Sequence, residues 1–222
     1  AGWFLADFVW AALSEPVQEI AAERDRSAEI NYTTVSEAFD TKIAIAVALG
    51  IVLSAPVWLY QVWAYFVPAL VAKERKIALG FLSAAVPLFA GGVATGWWVL
   101  PNIVVLFTGF APEQSATLLT AKVYLDFALK LVLAVGVGFV LPVFLVVFNV
   151  LGVLSAKAII RGWRYAVVFI ALFTALATPP ADVVSMVLLA IPMIVLYFIA
   201  AGIAWLHDRG VERKLRADLG RA

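Results

Sequence analysis

Long apolar runs without a single charged residue dominate the sequence. They occupy residues 43–71, 77–112 and 183–206, and polar segments separate them. A run of more than about 18 apolar residues is long enough to cross a bilayer as a helix, whereas membrane-barrel strands need only about 9–11 residues. The pattern therefore predicts an all-α, polytopic membrane protein with six transmembrane helices. The predicted spans cover about residues 1–13, 43–71, 77–107, 123–154, 163–177 and 183–206.

The first and fifth predicted spans are shorter than a bilayer requires. A helix rises about 1.5 Å per residue, so roughly 15 residues cover about 22 Å of a hydrocarbon core about 30 Å thick. We therefore expect the chain to begin within its first span, which is incomplete here. Prolines inside the longer spans predict kinks and a concave bundle. These are Pro56, Pro87 and Pro142. Residues 1–206 are predicted to form one transmembrane domain, and residues 207–222 a charged tail.

Composition agrees with a bilayer environment and narrows the possible chemistry. Apolar residues make up 64% of the chain and charged residues 14%, against about half and a quarter in soluble domains. The absence of cysteine and the single histidine, His207, exclude disulfides, thiolate catalysis and Cys- or His-rich metal sites. The sequence also lacks a glycine-rich phosphate loop and a protease motif. It therefore predicts a protein that is not an enzyme and that uses no cofactor, metal or nucleic acid.

Basic residues gather on one predicted face of the membrane. They lie in the turn 73–76, in the connector 155–164 and in the tail, and six spans put all three segments on the same side. The opposite loops are acidic instead, with seven carboxylates between residues 14 and 42. Because Lys and Arg favour the cytoplasmic side of short loops, both termini are predicted to be cytoplasmic. The expected location is the cell membrane.

Ionisable residues inside the spans are candidates for function because they are costly in a bilayer. Only Asp7, Asp126 and Lys130 qualify, and none lies at the centre of a long span. Asp126 and Lys130 are one helical turn apart and can pair there. The scarcity of such residues argues against an ion-coupled transporter or an intramembrane protease.

Glu74 is the single acid in the basic turn Lys73-Glu74-Arg75-Lys76. One interpretation is that it only tempers the positive charge of the turn. The other is that it meets a cationic partner, since a carboxylate binds a guanidinium in a bidentate pair. The residues alone leave both interpretations open.

Three segments of the chain, residues 53–76, 138–155 and 177–193, resemble the TatC family, the multispanning core of the twin-arginine protein translocase. "LSAPVWLYQVWAYFVPALVAKERK" (residues 53–76) resembles its second span and first cytoplasmic loop. "ATPPADVVSMVLLAIPM" (177–193) resembles its last outer turn and sixth span, and "GFVLPVFLVVFNVLGVLS" (138–155) matches the fourth span more loosely. The tail and the region of Trp163 and Arg164 are similar to actinobacterial members.

The resemblance implies a function. Members of the family bind twin-arginine signal peptides of folded cargo at the cytoplasmic face. They recruit TatA- and TatB-type single-span subunits into an oligomeric complex for export driven by the proton-motive force. For signal-peptide binding the implied residues are Glu74, Arg75 and Lys73. For contact with a partner helix they are Thr178, Met186, Val140 and Pro142, and for the extracytoplasmic turn Pro179, Pro180 and Asp182.

Three departures qualify the resemblance. Many relatives carry a buried glutamate where this chain has Val140, and some carry glutamine where it has Met186. The expected N-terminal part of the recognition site lies before Ala1.

Two alternatives from other functional classes stay open. A secondary transporter for a small solute predicts internal repeats and a polar midplane site, and neither is visible. A structural scaffold would leave the block 60–76 unexplained.

Overall fold

The computed structural model of this chain describes residues 7–13, 30–31, 36–66, 75–110, 119–178 and 183–219. Residues 7–13 are helical and are called α1. The other helices are α2 Glu37–Leu53, α3 Ala55–Phe66, α4 Arg75–Phe110, α5 Ala121–Val150, α6 Ala156–Arg161, α7 Trp163–Ala177 and α8 Val183–Leu219. Two short strands, β1 Ile30–Asn31 and β2 Leu119–Thr120, pair in parallel and join two loops. The predicted all-α class is confirmed.

Among the described residues, three helices are long and apolar enough to cross a membrane, namely α4, α5 and α8. The bent pair of α2 and α3 makes a fourth if it is counted as one span. Helix α7 is apolar but has only 15 residues. Together with the short α1, this arrangement is compatible with six spans.

The second span is broken rather than gently kinked. Helices α2 and α3 meet at 61° around Ser54. Pro56 lies in the first turn of α3, where its missing N–H leaves no helical hydrogen bond unmade. The side chains of Ser54 and Trp58 donate instead to the carbonyl of Ile51 at the end of α2, at 3.3 and 3.0 Å. The prolines of α4, α5 and α8 lie inside continuous helices.

The core consists of two clusters of buried side chains that share α5. The larger cluster packs α5 against α4, α7 and α8, with Leu131 and Leu189 fully buried. The smaller one packs α5 against α3 and α4, where the ring of Trp63 stacks on Phe81 at 4.9 Å. Helix α5 is therefore the central element of the bundle.

Candidate functional site

A polar cleft lies between the first half of α5 and the end of α7. Its volume is about 560 Å³. Asp126 and Lys130 contribute the charged groups from α5, and Thr178 contributes from the end of α7. Leu176 is 80% exposed beside it, so the cleft opens sideways from the bundle. Charged groups at the edge of a lateral opening can form hydrogen bonds or ion pairs with a neighbouring helix, in addition to packing contacts.

Helix α7 ends at its C-cap, Thr178, because a proline follows this residue. The residue before a proline avoids the helical conformation, and Pro179 follows. Thr178 is accordingly extended, with φ −97° and ψ 156°. Its hydroxyl donates to the carbonyl of Thr174 at 3.0 Å, and the side chain is buried. The break holds Thr178 against the cleft.

Asp126 and Lys130 do not form the predicted ion pair. Both side chains belong to the part of the chain that the structure describes, and no salt bridge joins them there. Asp126 is half-buried, whereas Lys130 is exposed, and both line the cleft. The prediction of a local pair is wrong. The two charges remain available to groups that enter the cleft.

The remaining predicted partner-contact residues lie elsewhere. Val140 is 2% exposed and packs in the smaller core cluster. It lies ten residues beyond Lys130 on α5, roughly 15 Å by helical rise. Pro142 faces a different, apolar groove, and Met186 is half-buried on α8. Contact of these three residues with a partner helix stays a prediction.

Most of the predicted signal-peptide and outer-turn residues lie outside the described residues. This holds for Lys73, Glu74, Pro179, Pro180 and Asp182. Arg75 is the first residue of α4, and its side chain is not described. The predicted contact of Glu74 with arginines therefore rests on the sequence.

At the predicted outer end, ion pairs join α2 to α1 and to α5. Lys42 of α2 lies 2.7 Å from Asp7 of α1, and Lys122 of α5 lies 3.1 Å from Asp40 of α2. The hydroxyl of Tyr124 donates to the carbonyl of Leu13 at 2.9 Å. Asp7, a candidate for function by its position in the sequence, thus has a structural partner.

At the opposite end of the bundle, Asp208 of α8 binds the end of α5 and the start of α6. The sequence did not predict this contact. The amide of Asn149 donates to one oxygen of Asp208 at 2.9 Å and to the carbonyl of Leu154 at 2.9 Å. The N–H of Ala156 donates to the other carboxylate oxygen at 2.8 Å. Asp208 lies beyond the apolar run that ends at Leu206. The N–H of Ala156, and then the amide of Asn149, lower its pKa below the ordinary value.

Removing this carboxylate should loosen that end of the bundle. In Asp208→Ala the N–H of Ala156, a residue only 1% exposed, loses its acceptor. We expect a loss of about 1–2 kcal/mol, because the bonds are charge-assisted but Asp208 is partly exposed. Thermal unfolding in detergent at pH 7 measures it. The matched control is Asp218→Ala, an exposed acid on the same helix, which should change little.

The effect of Asp208→Ala should depend on pH. A carboxylate whose pKa is lowered by folding stabilises the protein above its unfolded pKa, about 3.9, and loses this contribution as the pH falls through the folded value. The gap in melting temperature between wild type and variant should therefore be full at pH 7 and shrink below about pH 4. A gap that grows on acidification would contradict the role of the charge.

These elements define a class of protein: a multi-pass α-helical membrane protein with one broken span, one short span and a polar lateral cleft. The family model for the Sec-independent protein translocase protein (TatC) matches residues 1–192. The chain belongs to the TatC family. The resemblance seen in the sequence is thereby confirmed.

Relatives with the same name match over nearly the whole chain. The TatC protein of Xylanimonas cellulosilytica is 43% identical over 96% of this chain and 77% of its own length. The TatC protein of Rothia mucilaginosa is 38% identical over 91% of this chain and 69% of its own length. A crystal structure of the twin arginine translocase receptor TatC in DDM superposes with a TM-score of 0.78 at 29% identity, covering 91% of this chain and 89% of that one. These relatives are named as translocase proteins, not as enzymes.

Proposed function

We propose that this protein is the receptor subunit of a twin-arginine translocase in the cell membrane, with both termini in the cytoplasm. It binds twin-arginine signal peptides of folded cargo and recruits TatA- and TatB-type subunits for export driven by the proton-motive force. The observation that carries the proposal is the family match over residues 1–192. The similarity to a crystal structure of the twin arginine translocase receptor TatC supports it.

The proposed recognition step uses Glu74 between Lys73 and Arg75. A carboxylate holds a guanidinium through two parallel hydrogen bonds, whereas a lysine ammonium gives only a point charge. A site built on this pairing should discriminate arginine from lysine at equal charge. Neither a small-solute transporter nor a scaffold predicts such discrimination.

The direct test is peptide binding to the purified full chain in detergent. A fluorescent signal peptide with Arg-Arg should bind at least about tenfold tighter than the same peptide with Lys-Lys, because the bidentate geometry is lost. Fluorescence anisotropy measures both dissociation constants. Equal affinity for the two peptides would refute the proposed recognition.

We infer further that a single-span partner helix docks at the cleft of α5 and α7. Support comes from the lateral opening beside Leu176 and from the charged side chains of Asp126 and Lys130, which have no salt bridge among the described residues. A polar side chain on a partner helix would gain partners here that lipid does not offer.

Crosslinking tests this docking site cleanly, because the chain contains no cysteine. Leu176→Cys should crosslink to a cysteine in a coexpressed TatB-type helix. Adding Thr178→Ala should reduce the yield severalfold, since a residue that lines the cleft becomes smaller and loses the hydroxyl bond to Thr174 that holds it at the end of α7. The matched control is Thr95→Ala on α4, whose hydroxyl makes the same type of backbone bond, to Gly91 at 2.8 Å. A yield that Thr178→Ala leaves unchanged would count against the site.

A further inference from the structure

A second groove, separate from the polar cleft, opens between α5, the segment α6–α7 and α8. Its volume is about 530 Å³, within the range of about 300–1,000 Å³ of small-molecule pockets. Its walls are almost entirely apolar and include Leu141 and Leu145 of α5 and Tyr197 of α8. The Tyr197 hydroxyl donates to the carbonyl of Ile159, so this polar group is already used within the wall. The groove therefore suits a hydrocarbon chain.

Small residues on α6 and α7 make the space. Ala158, Gly162 and Ala166 line the groove at intervals of four residues. The backbone keeps helical bonds across the junction, from Gly162 N–H to Ala158 O at 2.9 Å and from Ala166 N–H to Gly162 O at 3.1 Å. Residues four apart therefore stay on one face. Larger side chains on this row would close the groove.

A row of cations runs beside these small residues. Lys157 and Arg161 directly precede Ala158 and Gly162, and Arg164 directly precedes Tyr165, another lining residue. The three cations share the helical spacing i, i+4, i+7. All three are exposed, and within the described part of the chain none takes part in a salt bridge. The guanidinium of Arg164 lies 5.7 Å from the ring centre of Trp163, and tryptophan is typical of the membrane–water interface. We therefore expect the row at headgroup level, beside the apolar groove.

We propose that the groove and the cation row together bind one anionic phospholipid. An acyl chain occupies the groove between α5 and α7, and the phosphate lies among Lys157, Arg161 and Arg164. Basic pockets between transmembrane helices are known settings for anionic headgroups, and arginine pairs with phosphate in a bidentate manner. An apolar partner helix would fill the groove but leave three cations without a counter-charge. A phospholipid supplies both parts, and the bilayer provides it.

The test measures lipid binding to the delipidated full chain by native mass spectrometry. The probes are dioleoyl phosphatidylglycerol and dioleoyl phosphatidylcholine, which share acyl chains and differ in headgroup charge. Each basic residue near an anionic surface contributes roughly a fivefold gain. We expect the anionic lipid to bind at least tenfold tighter. Equal binding of both lipids to the wild type would overturn the proposal.

A matched pair of triple variants separates this site from general attraction. Changing Lys157, Arg161 and Arg164 to Gln should abolish the preference for the anionic lipid. Changing Arg209, Arg213 and Arg216 to Gln removes the same charge at the same spacing on α8 and should leave the preference intact. If the tail variant loses the preference as fully as the connector variant, the lipid responds to net charge and the proposal fails.

A second pair tests the groove itself. Ala158→Phe places a ring at the groove mouth and should weaken binding of the anionic lipid about fivefold or more. Ile160→Phe changes an exposed residue of the same helix that does not line the groove, and it should have no effect. Equal behaviour of the two variants would overturn the proposal. So would efficient crosslinking of Ala158→Cys to a coexpressed single-span subunit, which would make the groove a protein site. These readouts involve no signal peptide, so they succeed or fail independently of the proposed receptor function.

Discussion

Glu74→Arg should insert into the membrane at normal levels and export no twin-arginine cargo. The substitution removes the carboxylate proposed to hold the arginines and leaves four successive cations at residues 73–76. Loss of one partner of a close charge pair costs about 2–5 kcal/mol, and the new repulsion adds to this. We therefore expect signal-peptide affinity to fall at least about 30-fold. Export of a folded fluorescent reporter to the periplasm, together with the membrane abundance of the variant, measures the outcome.

Two control variants separate loss of the Glu74 carboxylate from a general change of charge. Glu212→Arg makes the same charge reversal at an exposed position of α8, in the tail on the same predicted face, and should leave export unchanged. Glu74→Asp keeps the carboxylate on a shorter side chain and should retain part of the activity. Normal export by Glu74→Arg would contradict the assignment, because a bulky cation cannot receive another cation. A loss in Glu212→Arg as well would point to the overall charge of this face.

The long spans could be predicted because burial in lipid demands uninterrupted apolar sequence. The uncharged run 77–112 corresponds to α4, which covers Arg75–Phe110. The end of an apolar run, however, does not mark the end of a helix. The sixth span is predicted to stop at Leu206, whereas α8 continues through the charged tail to Leu219. The polar residues beyond 206 make as good a helix as the apolar ones before them, since only proline strongly opposes the helical backbone.

The break at Ser54 shows a second limit of sequence reasoning. Proline occurs in α3, α4, α5 and α8, yet only the pair of α2 and α3 is sharply broken among the described elements. What distinguishes it is the pair of side-chain donors, Ser54 and Trp58, that satisfy the carbonyl of Ile51. A proline removes one hydrogen bond, and the surrounding groups decide whether the helix bends or breaks.

The polar sites depend on contacts between residues far apart in the chain. Asn149 and Asp208 are 59 residues apart, and charge counting alone places Asp208 in a solvated tail. The cleft is similar, because Thr178 meets Asp126 and Lys130 only through the packing of α5 against α7. A partial signal was present in the sequence: antiparallel neighbours bring the start of one span close to the end of the next. Which faces meet is decided by side-chain packing, which the sequence pattern does not specify.

The close crossing of α4 and α5 depends on glycine. A Cβ built at Gly92 would lie 2.8 Å from the Cα of Gly136 and 2.8 Å from the carbonyl oxygen of Val135. Both atoms belong to the backbone of α5, so no side-chain rotation can relieve the clash. The neighbouring Gly91 has nothing within 4 Å of the same position. In a bilayer, where helices associate through close packing rather than hydrophobic exclusion, such contact is a main source of stability.

Gly92→Ala should therefore destabilise the protein by about 2–3 kcal/mol, since α4 must move away from α5 and loses packing along the crossing. Gly91→Ala adds the same methyl group to the same helix and should be neutral or slightly stabilising, because alanine favours the helix over glycine by up to about 1 kcal/mol. Thermal unfolding in detergent, followed by tryptophan fluorescence, compares the two variants directly. Equal melting temperatures for both variants and the wild type would contradict this prediction. They would mean that α4 and α5 leave room for a methyl group at residue 92, contrary to the 2.8 Å distance from a Cβ built there to the backbone of α5.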